Sequence, residues 1–314
     1  MSMSGAQVRI VDPILSTHAR GYSLPELIGD FLFPIVDMPT RAARRIEFDR
    51  ASFRRPNIIR APGARYAEVS FGYTGQAVNL IQRALGAKTP YEYVEEANAV
   101  PGIDLIQDNV DLVLDIIALD REINQASVAR NAALYAAANK LALAGGTKWS
   151  VDATGTPEKD VTLGKEQIRK RTGKRANTLV LGAAVAAALK VRADVKDRFK
   201  YTTEASISDA MLATFFDIPN VYVGDAIYDD DLGAASFDVW GGDAILAYVP
   251  MVPTGGRRKM AQPGYGYTYR LPMHPTVEQA QWDQDTGSWK NIVSDEWSAE
   301  MVGPDAGFLI QAAI

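Results

Sequence analysis

The sequence has 314 residues, a formal net charge of −5 at pH 7 and a hydrophobic fraction of 47%, which together allow one large soluble domain or two of ordinary size. It contains no cysteine, which excludes disulfides, thiolate metal sites and cysteine nucleophiles. It also shows no secretory signal and no apolar run of about 20 residues that would cross a membrane, so we expect synthesis and action in a cytoplasm.

The first 40 residues are interrupted by four prolines, at positions 13, 25, 34 and 39. This spacing predicts a long arm with at most one short helix, because proline disrupts continuous helices and central strands. The arm alone cannot bury its short apolar cluster between Leu24 and Phe33. We therefore expect it either to pack back over its own domain or to lie on a neighbouring subunit.

Residues 41 to 65 carry a strong local excess of positive charge, with eight arginines against two acids and thus a net charge of +6. The arginines are Arg41, Arg44, Arg45, Arg50, Arg54, Arg55, Arg60 and Arg65. Candidate strands at Arg65 to Phe71 and at Gln76 to Gln82 predict a long two-stranded hairpin. Three interpretations stay open here: contact with nucleic acid, pairing with acidic surfaces of partners, and a solvated charged loop.

Residues 103 to 144 contain neither glycine nor proline. Apolar residues recur three or four positions apart along this stretch, which predicts one buried helical face. Acids crowd its beginning, and Arg130 and Lys140 lie late, as the helix dipole favours. We expect a single spine helix of about 35 to 40 residues, roughly 55 to 60 Å long, ended by Gly145 and Gly146.

Residues 165 to 256 alternate helical and strand patterns, which predicts a compact α/β module. The predicted helices are Lys165 to Arg171, Ala183 to Lys190 and Ile207 to Phe215. The predicted strands are Thr178 to Leu181, Val221 to Val223 and Ala244 to Val249. Between positions 201 and 256 there are nine acids, including Asp229, Asp230 and Asp231, and no lysine or arginine. Much of the module therefore has the opposite charge to the arginine-rich segment.

From position 264 onward the chain again shows strand patterns. The predicted strands are Tyr265 to Leu271, Val277 to Trp282, Trp289 to Val293 and Phe308 to Ala312. The sequence Asp285-Thr286-Gly287 predicts the turn between the middle two.

The sequence offers few candidates for chemistry. Its two histidines, His18 and His274, have no recognisable catalytic or metal-binding partner. Thr178 to Gly182 resembles the start of a nucleotide-binding unit, but the rest of that fingerprint is absent. The run from Asp229 to Asp231 could hold a divalent cation, although consecutive carboxylates usually mark a solvated loop. We therefore predict no catalytic residue, no cofactor and no metal site.

Three segments carry a resemblance to a known family: Asn177 to Gly182, Ile218 to Gly224 and Val239 to Pro250. These are packing motifs and not chemical signatures. Together with the order of parts, which is arm, charged hairpin, spine helix, α/β module and returning strands, they resemble the major capsid proteins of tailed phages. The resemblance in architecture covers essentially the whole chain.

This resemblance implies an α+β fold of the HK-ninety-seven type, with an N-terminal arm, an extended β-hairpin loop, a long spine helix with a peripheral β-sheet, and an α/β axial domain. The implied boundaries are 1–40 for the arm, 41–100 for the extended loop, 101–150 for the spine helix region of the peripheral domain, 151–260 for the axial domain and 261–314 for the returning peripheral strands. It implies a non-enzymatic subunit that self-assembles into the icosahedral shell around a phage genome.

The implied partners are further copies of the chain in hexamers and pentamers, scaffold, portal and decoration proteins, and packaged double-stranded DNA held without sequence reading. The implied location is the virion capsid, assembled in the host cytoplasm without a membrane. We further expect contacts between subunits in which the basic hairpin lies on acidic surfaces, with Arg41, Arg44, Arg45, Arg50, Arg54, Arg55, Asp229, Asp230 and Asp231 as the candidate residues.

Two alternatives stay open from the sequence. An encapsulin-like cargo compartment would share the fold and would be recognised by co-purifying cargo protein. A nucleic-acid-binding protein using residues 41 to 65 would show salt-sensitive binding as a small monodisperse species. An α/β enzyme is a third and weaker alternative, because no residue supports it.

Overall fold

The computed structural model describes residues 11–44 without 23 and 25, 77–98, 104–200, 207–229, 235–250 and 264–314. Its helices are α1 (Pro13–Gly21), α2 (Gly29–Leu32), α3 (Tyr91–Asn98), α4 (Leu105–Arg130), α5 (Pro157–Thr172), α6 (Ala183–Val191), α7 (Ala193–Arg198) and α8 (Asp209–Phe216). Its strands are β1 (Ile35–Asp37), β2 (Ala42–Arg44), β3 (Ala77–Asn79), β4 (Ile81–Pro90), β5 (Lys140–Ala142), β6 (Thr178–Gly182), β7 (Asn220–Gly224), β8 (Ile227–Asp229), β9 (Ser236–Asp238), β10 (Ala244–Ala247), β11 (Gly266–Arg270), β12 (Thr276–Val277), β13 (Gln281–Asp283), β14 (Ser288–Met301) and β15 (Gly307–Gln311). The described strands form a six-stranded sheet, a five-stranded sheet and two separate two-stranded ribbons.

The 14-residue strand β14 lies at the centre of the six-stranded sheet. Along one side it pairs antiparallel with β4 over ten residues. Along the other side it pairs with β13, β12 and β11, and β1 adds to β11 in parallel. The strand runs well beyond the predicted Trp289 to Val293. The prediction was too short because Asp295 and Glu296, which are buried in ion pairs, interrupt the apolar pattern of the sequence.

The region before β14 also differs from the prediction. We expected one strand from Val277 to Trp282, whereas the structure has two short ones, β12 and β13. Between them Glu278 forms a β-bridge with Val11 of the arm and donates its N–H to Ile292 of β14, and the pairing is interrupted at the next two residues. The predicted turn before β14 is confirmed, and Gly287 adopts a left-handed φ of +56° that suits glycine.

Helix α4 packs against β14 and β4 and buries one apolar face. Val110, Val113, Leu114 and Ile117 pack with Val277 and Val293 in one cluster. The helix begins at Asp104, whose carboxylate accepts hydrogen bonds from the next backbone N–H groups, and a basic residue lies in its last turn. The predicted buried face is therefore confirmed, and so is the charge pattern except for Lys140, which lies in β5 beyond the helix.

The length predicted for this helix was wrong. Helix α4 has 26 residues and is about 39 Å long. It ends at Asn131, which is extended and whose side chain accepts a hydrogen bond from the N–H of Ala133. Asparagine side chains compete for backbone donors in this way and stop helices. Two short 3₁₀ turns and β5 follow, where we had expected helix up to Gly145.

The α/β module is built on the five-stranded sheet, in the order β5-β15-β10-β6-β7. Strands β6 and β7 run parallel, with Thr178 opposite Asn220 and Gly182 opposite Gly224. Every residue of β6 and β10 is buried, as a strand covered on both faces requires. The three helices and three strands predicted for this region are all present, with ends shifted by a few residues and α5 extended towards its N-terminus.

The last strand of the chain lies in an unexpected place. We expected residues 261–314 to return to the peripheral strands, whereas β15 pairs with β10 and β5 inside the sheet of the α/β module. Its residues Phe308, Leu309 and Ile310 are buried. The domain boundaries themselves remain predictions.

The described part of the arm packs on its own subunit. Pro13 opens α1 at a position where its missing N–H costs nothing, and Asp12 caps the helix. A second, single-turn helix, α2, follows, so our expectation of at most one helix was wrong. Leu32 and Phe33 are fully buried in the cluster that joins α4 to the α/β module.

Candidate assembly surface

The basic segment starts and ends in one short ribbon. Strand β2 pairs antiparallel with β3, and Arg44 lies opposite Ala77. The described residues on either side of 45–76 therefore lie next to each other. Val78 is buried against Val36 and Met38 and holds the ribbon on the six-stranded sheet. The predicted strand at Gln76 to Gln82 corresponds to β3 and the start of β4, and the one at Arg65 to Phe71 lies outside the described residues.

Arg41 anchors this ribbon within the subunit. Its Nε lies 2.7 Å from one carboxylate oxygen of Glu296, and its second guanidinium nitrogen lies 2.8 Å from the other. Glu296 is buried, and this bidentate hydrogen bonding raises the pKa of Arg41. Arg41, which we predicted at a contact between subunits, is thus held by its own chain.

A second anchor, Arg83, lies near the start of β4. The guanidinium of Arg83 stacks 3.5 Å from the ring centroid of Trp297. The same side chain reaches Asp120 on α4, with 2.6 Å between nitrogen and oxygen. Arg83 therefore ties the edge strand β4 to both the sheet centre and the spine helix.

A buried charge network lies beneath these anchors. Asp295 is 1% exposed, and its carboxylate accepts a hydrogen bond from Arg270 at 3.2 Å, with Arg121 4.0 Å away on its other oxygen. Arg121 also binds Asp30 of α2 at 3.0 Å. Burial lowers the pKa of Arg270, and the nearby Asp295 opposes that shift.

Glu122 joins the arm, the spine helix and the α/β module. It is 2% exposed, and its carboxylate accepts hydrogen bonds from the N–H groups of Ile28 and Gly29, at 3.2 and 2.7 Å. It also accepts the indole N–H of Trp240 at 2.6 Å. Burial raises the pKa of Glu122, and the three hydrogen bonds oppose this.

Helix α1 is held on the acidic face of α4. The Tyr22 hydroxyl lies 2.5 Å from the carboxylate of Asp115, and His18 Nε2 lies 2.6 Å from that of Asp111. The hydrogen bond to Asp115 raises the pKa of Tyr22 to about 12, with burial adding to it. The acids that crowd the start of the spine helix therefore serve partly to hold the arm.

The acidic side of the module carries an exposed ribbon formed by β8 and β9. Asp229 lies on β8 and accepts a hydrogen bond from the Ser236 hydroxyl at 2.5 Å. Ile227 and Phe237 on the same ribbon are 57% and 47% exposed. Within the described residues, no group of three or more histidine, aspartate or glutamate side chains lies close enough to hold a metal ion.

Of the candidate contact residues, the structure describes Arg41, Arg44 and Asp229. Arg45, Arg50, Arg54, Arg55, Asp230 and Asp231 lie outside the described residues. In the described chain Arg41 binds Glu296 and Asp229 binds Ser236, and the expected roles between subunits remain predictions.

Sequence reasoning missed Glu122, Asp295 and Glu296. Glu122 had a signal, because it falls on the buried stripe of α4 between Ala118 and Ala126. A carboxylate at such a position predicts buried donors around it. The acids of β14 had none, since they lie beyond the apolar run.

The fold is of the HK-ninety-seven type. The chain resembles a subunit of the mature capsid of bacteriophage PhiM1, with a TM-score of 0.55, 10% identity and coverage of 92% of this chain and 88% of that one. It also resembles the SrpI encapsulin of Synechococcus elongatus PCC 7942, with a TM-score of 0.57, 11% identity and coverage of 99% and 96%. At such identities the likeness is one of fold alone.

Relatives at higher identity give the family. The chain is 32% identical over 306 residues to the major capsid protein of Burkholderia phage BcepMu, with 97% of both chains covered. It is 38% identical to a phage-related protein of Bordetella bronchiseptica RB50, whose crystal structure matches with a TM-score of 0.82 and coverage of 97% and 98%. No protein-family model matches. The chain belongs to the family of phage major capsid proteins.

The protein is thus a structural subunit of a phage capsid shell, as the resemblance implied. The encapsulin alternative is weaker, because the encapsulin likeness is one of fold alone whereas the likeness to phage capsid proteins extends to the residues. Among the described helices, none is both long and apolar enough to cross a membrane.

Proposed function

We propose that copies of this chain form hexamers and pentamers of an icosahedral shell, in which the basic hairpin of one copy lies on the acidic surface of the next. The observation that carries this proposal is the anchored ribbon β2–β3. It brings together the two ends of 45–76, a 32-residue stretch with six arginines and three acids.

Anchoring matters because a contact between copies needs a fixed point of departure. Arg41 and Arg83 hold both sides of the ribbon to the six-stranded sheet and to α4. If residues 45–76 form the predicted hairpin, they expose more surface than one subunit can cover. Burying it on neighbours gives large obligate interfaces, which closed symmetry repeats around the shell.

The shell encloses double-stranded DNA, which meets the inner surface through phosphate charge without sequence reading. Scaffold, portal and decoration proteins complete the particle, which assembles in the host cytoplasm. The subunit performs no catalysis in this scheme. That view is supported by the relatives, which are structural capsid proteins.

The hairpin contact is tested by replacing Arg44, Arg45, Arg54 and Arg55 with glutamate. Reversed charge places like charges at the contact, which costs several kcal/mol. We expect folded subunits by circular dichroism and no closed shells by negative-stain electron microscopy. The matched control replaces the same four arginines with lysine, keeps the charge and should assemble. Normal shells from the glutamate variant would contradict the contact.

The wild-type protein provides the test of the whole proposal. Closed shells or uniform rings across a range of protein and salt concentrations are expected. Compact particles of single-subunit size under every condition, with salt-sensitive binding to DNA, would favour the nucleic-acid-binding alternative instead.

A further inference from the structure

The α/β module carries opposite charges at its two ends. The parallel strands β6 and β7 fix the direction, because both start at one end of the sheet and finish at the other. Five residues of strand separate the two ends by roughly 16 Å. The chain enters β6 from the last turn of α5 and leaves β7 into the ribbon β8–β9.

The end where β6 starts is basic. Lys170, Lys174 and Arg175 are exposed there and form no ion pair with any residue that the structure describes. We call these three residues the basic end. Their neighbour Arg171 is bound to Asp305, 2.5 Å away in the turn before β15, which fixes this end of the helix beside the sheet. The basic end is therefore held in place, and its three positive charges are not paired with any acid among the described residues.

Two of these cations also act on Glu166. Its pKa is lowered, chiefly by the hydrogen bond from Arg169, with Lys170 and Arg175 adding to the effect. Lys170 and Arg175 thus add to the positive potential at this end. A surface of this kind favours an acidic partner.

The end where β7 finishes is acidic. Asp225, Asp229 and Asp238 are exposed on the ribbon or beside it, and none forms an ion pair within the described part of the chain. We call residues 225–229 and 235–238 the acidic ribbon. It also exposes Ile227 and Phe237. A two-stranded ribbon is marginally stable in water by itself, so exposed apolar residues on it call for cover.

We propose that the acidic ribbon of one copy docks on the basic end of α5 in the next copy. The inference rests on the proposed shell function and adds a second contact to it. Because the two surfaces lie at opposite ends of one module, each copy can bind one neighbour through its acidic ribbon and the other neighbour through its basic end. Such head-to-tail contacts generate closed rings when the rotation between copies closes.

The test reverses each surface separately and then both together. One variant carries Lys170→Glu, Lys174→Glu and Arg175→Glu, and the other carries Asp225→Lys, Asp229→Lys and Asp238→Lys. We expect each to lower the yield of closed shells at least about ten-fold, since like charges then meet. Circular dichroism and the midpoint of thermal unfolding check that the subunits fold.

The variant with all six substitutions should restore shell formation, because opposite charges meet again. A matched control, Lys159→Glu with Lys196→Glu and Lys200→Glu, makes the same change in net charge at other exposed lysines of the module and should assemble. A third combination joins the reversed ribbon to glutamates at Arg44, Arg45, Arg54 and Arg55. It should not restore assembly, because the acidic ribbon meets α5 in this proposal, and the hairpin contact then uses other acidic residues of the next copy.

Two outcomes would overturn this docking. Either three-residue variant could assemble like the wild type. The six-residue variant could fold and still form no shells. If the Lys170, Lys174 and Arg175 variant assembles normally and its shells hold less DNA, the basic end is assigned to nucleic acid instead. If the wild type itself forms no shells, the failure is that of the proposed function and not of this contact.

Discussion

The two ribbons of the structure, β2–β3 and β8–β9, have the same size but differ in how far their apolar side chains are buried. Each consists of three-residue strands paired antiparallel. The first is fixed by buried Val78 and by Arg41 on Glu296. The second has both apolar side chains Ile227 and Phe237 exposed. The first ribbon is therefore stabilised inside the subunit, whereas for the second we propose an additional contact with a neighbour that covers Ile227 and Phe237.

The largest effect is expected beneath the first ribbon, from Asp295→Ala. Its removal leaves the buried Arg270 without its carboxylate, which costs about 3 to 5 kcal/mol of the free energy of unfolding. Urea unfolding of unassembled subunits measures this. Asp305→Ala, which removes a more exposed ion pair with Arg171, is the control and should cost about 1 kcal/mol or less. Equal losses in the two variants would contradict the buried network.

The anchor itself is tested by Val78→Ala. Val78 is 1% exposed, and truncating it removes buried methyl groups, so we expect a loss of about 2 kcal/mol in the same unfolding experiment. Val11→Ala, at a site that is 41% exposed, serves as the control and should change stability by less than about 0.5 kcal/mol. An unchanged midpoint for Val78→Ala would mean that the ribbon is not held by its core contact.

A pH dependence is expected at Glu122, where arm, spine helix and module meet. Its pKa in the folded state lies above the ordinary value of 4.5, so the folded protein binds this proton more tightly than the unfolded chain. The corresponding stability is fully present below pH 4.5 and is lost as the pH rises through the raised pKa.

Glu122→Gln removes this titration. Thermal unfolding of both proteins across the acidic range should show the wild type losing stability relative to the variant as the pH rises. Parallel pH profiles would mean that Glu122 does not titrate differently in the folded protein.

The smallest effect on the isolated subunit is expected from Phe237→Ser on the second ribbon. Phe237 packs on Tyr228, with ring centroids 5.6 Å apart, and is 47% exposed. We expect a change in unfolding free energy below about 0.5 kcal/mol, together with a lower yield of shells. A loss as large as that of Val78→Ala would show that both ribbons depend on their own subunit.

Local patterns predicted much of the fold. The α/β module follows from alternating helical and strand patterns, and the buried strand Thr178 to Leu181 is an example. The buried face of α4 follows from the spacing of its apolar residues. Local patterns could not predict where another interaction replaces the expected one. Asn131 ends α4 although apolar residues continue, and Glu278 pairs with distant Val11.

The sequence predicted the charge of the candidate surface but not the residues that its arginines bind. The arginine excess of residues 41–65 is plain in the sequence, but the pairing of Arg41 with Glu296 joins positions 255 residues apart. Hydrophobic patterns cannot predict buried acids such as Asp295, because they treat every charged residue as exposed. In the folded protein, ion-pair partners offset the cost of removing the carboxylate from water.

The position of β15 determines when the subunit can finish folding during synthesis. This strand lies between β5 and β10 in the middle of its sheet. Residues 140–142 must therefore wait for residues 309–311 to leave the ribosome before they pair. Such distant pairing is slow to form. A nascent chain consequently lacks a finished α/β module until β15 has emerged from the ribosome, so translation itself delays contact between copies up to that point.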